Sequence, residues 1–134
     1  MSYNQRHSTI WSPMLLTVSQ RAGIMSLLSK MFGGFSSRGK ATTIYKRGMH
    51  RASQRDLEGA IADYTEVIEM GKAPADLKAM ALMNRALAFS RQGDDKKAHS
   101  DLDRVLAMPD AGAQVKAAAT EKLHRMKRRD SKSE

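Results

Sequence analysis

The chain of 134 residues contains no cysteine, which excludes disulfide bonds and thiolate metal sites. The same absence fits a reducing compartment, and we expect the protein in the cytoplasm. No apolar run approaches the roughly 20 residues that a membrane-spanning helix needs. Aromatic residues are scarce, with one tryptophan, three tyrosines and three phenylalanines. Base stacking on aromatic side chains therefore has little support in this composition.

Acidic residues are absent from the first 55 positions, and Asp56 is the first of the 14 in the chain. Residues 56–112 carry more acidic than basic side chains, so the net charge of +9 arises at the two ends. At the C-terminal end, a cluster of candidate anion-binding cations comprises Arg125, Lys127, Arg128 and Arg129. Basic ends predict contact with an anionic surface, either nucleic acid or phospholipid. The alternative interpretation is that they only keep the protein in solution.

Residues 1–39 are predicted to be a flexible basic segment that contains one amphipathic helix. Apolar residues recur at three- and four-residue spacing from Met14 to Phe32, which predicts this helix over about 13–32. Gly33 and Gly34 then predict a break. Three interpretations stay open. The helix covers the first repeat of the following domain, or it is a targeting or surface-binding helix similar to an organellar transit segment. In the third interpretation it is poorly ordered, or it is not translated at all and Met25 is the true start.

A repeated segment dominates the rest of the sequence. Residues 47–70 match residues 85–108 at an offset of 38, with identical pairs Arg47/Arg85, Gln54/Gln92, Asp56/Asp94, Ala60/Ala98, Asp63/Asp101, Val67/Val105 and Met70/Met108. A fixed period between 20 and 50 residues is the mark of stacked repeats. Helical spacing of the apolar residues predicts an all-α fold, with helices at about 41–53, 57–70, 75–91, 95–107 and 112–128. Asp56 and Asp94 suit the caps of the second helix of each pair.

This pattern resembles the tetratricopeptide repeat, a helix-turn-helix unit of 34 residues. Ala60 and Ala98 match the alanine that opens the second helix of that unit. Gly48 and Ala86 match the small residue of its first helix, and Tyr64 matches its later aromatic position. The resemblance implies a short α-solenoid of two and a half repeats over residues 40–128. We expect repeats at about 40–74 and 75–110, a capping helix at about 112–128 and a disordered tail at 129–134.

Two ion pairs are predicted from spacing. Arg47 lies sixteen residues before Asp63, and Arg85 lies sixteen residues before Asp101. In a hairpin of two helices, positions at this separation can lie side by side. We therefore expect Arg47 to pair with Asp63, and Arg85 with Asp101, which would fix how the two helices of each repeat cross.

No combination of residues predicts catalysis. The four histidines have no metal-ligand spacing, and Gly33-Gly34 lacks the context of a phosphate-binding loop. The neighbouring carboxylates of Asp94 and Asp95 are explained by a helix cap and its first turn. We therefore expect a protein that is not an enzyme and that uses no metal and no cofactor.

The resemblance implies instead that the first helices of the repeats line a groove for a helical or extended segment of another protein. The groove-facing positions that it implies are Thr42, Tyr45, Lys46, Met49, Met80, Met83, Asn84 and Leu87. Methionine adapts to varied apolar partners, which favours an interaction scaffold or adaptor. The methionines could instead pack under the N-terminal segment, or the protein could self-associate. Binding of nucleic acid or of an anionic membrane surface through the basic ends is the alternative function.

Overall fold

The computed structural model describes residues 36–134 together with Gly23, and residues 36–134 form one unit. This unit is built from α-helices that pack in chain order, and no strand occurs among the described residues, which confirms the all-α prediction. Its helices are α1 (Ser37–Ser53), α2 (Leu57–Glu69), α3 (Ala75–Arg91), α4 (Asp95–Ala107) and α5 (Ala113–Ser133). Apart from Gly23, the amphipathic helix predicted over about 13–32 lies outside the described residues.

The helices form two hairpins followed by a single helix. Helix α1 packs on α2, and α3 packs on α4. The second helix of each hairpin also contacts the next helix of the chain, while α1, α3 and α5 touch one another in that order. Because Ser37, Ala75 and Ala113 begin these three helices, their starts are 38 residues apart, the offset of the sequence repeat.

The turn inside each hairpin has the same design. The Asp56 carboxylate accepts a hydrogen bond from the Gly59 backbone N–H at 2.9 Å, and Asp94 accepts from the Lys97 N–H at 3.1 Å. Each carboxylate thereby caps the free amides at the start of a helix. The residue before each cap has a left-handed backbone, with φ of 63° at Arg55 and 84° at Gly93. Hydrogen bonds from Lys97 lower the pKa of Asp94.

Small residues let the two helices of each hairpin approach closely. A Cβ atom added to Gly48 would lie 2.8 Å from the Tyr64 ring, and the matching Ala86 is fully buried. Ala60 and Ala98 are also fully buried. The core around them consists mainly of alanine, together with leucine, isoleucine, valine and the rings of Tyr45 and Tyr64.

Helix α5 differs from its prediction because it continues to Ser133, whereas we expected an end near 128 and a disordered tail at 129–134. Two contacts account for the added turn. Met126 is buried against the preceding hairpin, and Arg129 donates a hydrogen bond to Asp95 at the start of α4. In addition, no glycine or proline follows Gly112 to end the helix. The first helix likewise begins at Ser37, a few residues before the predicted start.

Candidate binding face

Both predicted ion pairs are confirmed. Arg47 donates from Nε and Nη2 to the two oxygens of Asp63, at 3.0 and 2.7 Å. Arg85 does the same to Asp101, with both distances 2.7 Å. The two carboxylates are almost completely buried, so each needs a cation and hydrogen bonds to offset its lost hydration. The pairs therefore fix how the first helix of each hairpin is turned against the second.

The two hairpins are joined by one of these arginines. Arg85 also donates from Nη1 to the Thr65 hydroxyl on α2, at 2.9 Å. Thr65 in turn donates to the backbone oxygen of Ile61. One guanidinium therefore bonds to both α2 and α4, and this orients α3 relative to the hairpin before it.

The surface formed by α1, α3 and α5 carries two neighbouring depressions, and we call it the binding face. The first depression has a volume of about 260 Å³ and is lined by Met49, Ala52, Ser53, Tyr64, Asn84, Leu87, Ala88 and Arg91. The second, of about 230 Å³, is lined by Tyr45, Met80, Met83, Asn84, Gln114, Val115 and Ala118. Asn84 borders both depressions and donates a hydrogen bond to the Tyr45 hydroxyl at 2.7 Å. This polar bridge divides an otherwise mainly apolar surface.

The two tyrosines below the face are held in the neutral form. Their rings lie 5.9 Å apart between centroids, tilted by 50°. Burial raises the pKa of Tyr45, an effect that the hydrogen bond from Asn84 partly offsets. Burial, followed by the nearby Tyr45 and Asp63, raises the pKa of Tyr64 to about 12. Both phenols therefore stay neutral to a higher pH than a free tyrosine, and neither adds negative charge to the face.

Most of the positions implied for the groove come together on this face. Tyr45, Met49, Met80, Met83, Asn84 and Leu87 line the depressions. Thr42 and Lys46 line neither of them. Thr42 donates to the backbone oxygen of Arg38 one turn earlier, and Lys46 is exposed.

The contribution of α5 to the face was not among the predicted positions, although the repeat contains a signal for it. Shifting Met80 and Asn84 by 38 positions gives Ala118 and Lys122. Ala118 lines the second depression together with Val115. Extending the groove positions of α1 and α3 by one more repeat, to α5, would therefore have predicted this part of the site. Arg91 was missed because it is the last residue of α3, beyond the positions that the resemblance implies.

The four basic residues predicted near the C-terminus lie on α5 and differ in their partners. Arg129 pairs with Asp95, and Arg125 lies 3.7 Å from Glu121. Lys127 and Arg128 are exposed and have no ion-pair partner within the described part of the chain. Lys127 is five residues after Lys122, about 140° around the helix, so it is on the side away from the binding face.

Within residues 36–134, no group of three or more histidine or acidic side chains could hold a metal ion. None of the described helices combines the length and apolar character needed to cross a lipid bilayer. No protein-family model matches the chain, and no curated protein and no solved structure is significantly similar to it.

Proposed function

We propose that this protein is a non-enzymatic interaction scaffold of tetratricopeptide type, which holds a helical or extended segment of another protein on its binding face. Support for the repeat type comes from two hairpins whose helices begin and end at positions 38 residues apart. Small residues at the matching positions Gly48 and Ala86 also support it. The capped turns at Asp56 and Asp94 add to it.

The observation that carries this function is the placement of exposed apolar side chains. Among the described residues, the large hydrophobic side chains that are exposed are Met49, at 47%, and Met80, at 37%. Both lie on the binding face, at the edges of the two depressions. An apolar surface of this kind, bordered by polar side chains, is typical of a protein-binding site. Methionine side chains can adjust to the shape of the segment that covers them.

Site-specific photo-crosslinking tests this function. A benzophenone amino acid at Met49 or at Met80 should crosslink the full chain to a partner protein in cells. The same amino acid at Ala62, an exposed position on α2, should yield no such product. Crosslinks of equal yield at all three positions, or at none, would contradict the proposal. Introducing Met83→Glu into the crosslinking variants should remove the product, because a carboxylate would then lie in the second depression.

The alternative function, binding of nucleic acid or an anionic membrane surface, is favoured by the exposed cations Lys127 and Arg128 on α5. Such contacts replace condensed counterions, so their affinity falls steeply with added salt. Binding through the apolar face should instead survive moderate salt and be lost with Met83→Glu. The salt dependence of binding therefore separates the two functions.

A further inference from the structure

The two ends of the binding face differ in how their charges are balanced. Where α1 and α3 begin, Arg38 lies 3.3 Å from Asp76, so a cation and an anion are paired. Where the same helices end, Arg91 borders the first depression and shares a third, more polar depression with Arg55. Among the described residues, neither arginine has a carboxylate within ion-pair distance. This end of the face therefore has an excess of positive charge.

Helix α5 adds to the same excess. Lys122, Arg125 and Arg129 are separated by three and four residues, so they share the side of α5 that also carries Val115 and Ala118. Lys122 has no ion-pair partner in the described structure. Its pKa is lowered by burial and by the nearby charges of Arg129, Arg125 and Arg91, with Asp95 acting in the opposite direction. Arg91 therefore borders the first depression, and three cations continue the side of α5 that lines the second, of which only Arg129 and Arg125 have acidic partners.

We propose that the binding face selects an acidic amphipathic helix, which places apolar side chains in the two depressions and carboxylates beside Arg91 and Lys122. This inference rests on the proposed function, because it names the chemistry of the partner for the same face. An apolar stripe fits the methionine-lined surface, and acidic flanks complement the uncompensated cations. Arg91 can also form two parallel hydrogen bonds to one carboxylate.

Charge disfavours the protein's own N-terminal segment as the occupant. Residues 1–39 contain no acidic residue, and Arg21 and Lys30 lie within the predicted amphipathic helix. That segment would bring further positive charge to the cationic end of the face. A partner with carboxylates would instead lower the repulsion among Arg91, Lys122 and Arg129.

Nucleic acid is also a poorer match for this face. Bases bound in a groove usually stack on exposed aromatic rings or on arginine. Tyr45 and Tyr64 are buried, and the Phe89 ring is covered by Arg85 and Lys97, whose charged groups lie 5.7 and 5.4 Å from its centre. No described aromatic ring is therefore open for stacking, and the methionine side chains that line the two depressions offer no complement to a phosphate backbone.

Three designed helices provide the test. Each is about 18 residues long, or five turns, and carries the same stripe of leucines and a fluorescein label. Their outward positions hold only glutamate, only glutamine or only lysine. The full chain is titrated into each at about 0.15 M salt, and binding is followed by fluorescence anisotropy. We expect the glutamate helix to bind at least about tenfold more tightly than the glutamine helix, and the lysine helix to bind most weakly.

Charge reversal then locates the preference. Arg91→Glu and Lys122→Glu should each lower the affinity for the glutamate helix by roughly five- to tenfold, and should leave the affinity for the glutamine helix nearly unchanged. Lys72→Glu is the matched control, since Lys72 is an exposed cation in the turn before α3. It changes the net charge equally and should leave all three affinities as they were. Circular dichroism confirms that each variant remains helical.

The outcomes separate this inference from the function on which it rests. If the three helices bind equally and Met83→Glu abolishes all binding, the face is a protein-binding site but the acidic preference is wrong. If none of them binds, both proposals fail. The proposal of an acidic partner would be wrong if a peptide of residues 1–35 displaced the glutamate helix. It would also be wrong if an oligothymidylate displaced that helix and its binding required Arg91 and Lys122. A dimer of the full chain that Met83→Glu dissociates would overturn it as well.

Discussion

Gly48 and Tyr64 form a matched pair of a small and a large residue where α1 crosses α2. The Tyr64 ring occupies the space that a side chain at Gly48 would need. In the second hairpin, the corresponding residues are Ala86 and Leu102, and both are buried. Alanine there replaces glycine, which adds volume, and leucine replaces tyrosine, which removes volume. The two hairpins therefore reach similar packing through opposite changes at both positions.

We predict that Gly48→Ala destabilises the protein by about 1–2 kcal/mol. Alanine is favoured over glycine in a helix by about 1 kcal/mol, but the added methyl group must displace the Tyr64 ring. In a Tyr64→Leu background, the same substitution should be clearly less destabilising, because leucine lacks the ring atom 2.8 Å from the added methyl group and only the Asp63 Cβ atom, at 3.2 Å, remains close. Urea unfolding of the four proteins, followed by circular dichroism, measures this coupling. Equal effects of Gly48→Ala in the two backgrounds would show that the ring is not the obstacle.

Single residues also show what could be predicted from the sequence. The caps at Asp56 and Asp94 were predictable, since the residue type and its position before an apolar run are both visible. The left-handed backbone at Gly93 is signalled by glycine itself. The same conformation at Arg55 has no such local signal, because a non-glycine residue rarely adopts it. It follows only from the position that Arg55 shares with Gly93 in the repeat.

At the scale of the helices, the two buried carboxylates have different surroundings. The Arg85 side chain is 13% exposed, and it is the close partner of Asp101, with Arg104 farther away at 3.7 Å. The Arg47 side chain is 51% exposed, and Asp63 has a second donor in Arg51 at 3.0 Å. Arg51 occupies the repeat position of Phe89, so one hairpin uses a cation where the other uses an aromatic ring.

This difference predicts unequal costs when one arginine is removed. Arg85→Ala should destabilise the protein by about 3 kcal/mol or more, because it leaves Asp101 buried without a close cation and also breaks the bond to Thr65. Arg47→Ala should cost much less, since Arg51 still donates to Asp63. Equilibrium unfolding in urea compares the two variants.

The double substitution Arg47→Ala/Arg51→Ala serves as the control for this comparison. It leaves Asp63 without either cation, so its cost should approach that of Arg85→Ala and exceed the sum of the two single substitutions. Similar costs for Arg47→Ala and Arg85→Ala would contradict the role given to Arg51.

The arrangement of the helices was more predictable than their contacts. The sixteen-residue spacing was enough to pair Arg47 with Asp63, because it follows from the geometry of one hairpin. The bond from Arg85 to Thr65 joins different hairpins, and nothing in the repeat marks it. The extent of α5 was also missed, since the basic composition of residues 125–132 hid the buried Met126 and the contact between Arg129 and Asp95.

At the scale of the whole molecule, residues 36–134 bury their own core. The fully buried side chains include Val67, Leu102 and Val105, and the buried carboxylates of Asp63 and Asp101 both have arginine partners. No buried side-chain nitrogen or oxygen atom in the described structure lacks a hydrogen bond. The large hydrophobic side chains that remain exposed there are on the binding face. This unit therefore contains the interactions that a stable fold requires.

We predict that residues 36–134, produced without the first 35 residues, remain folded and monomeric. Their melting temperature should lie within about 4 °C of that of the full chain, because the first 35 residues should contribute less than about 1 kcal/mol to the free energy of unfolding. For a domain of this size, 1 kcal/mol shifts the melting temperature by at least about 4 °C. Circular dichroism and sedimentation velocity at several concentrations measure both properties. A much earlier melt, or association of the shorter chain that Met80→Glu prevents, would mean that residues 1–35 shield the binding face. In that case a partner would first have to displace them.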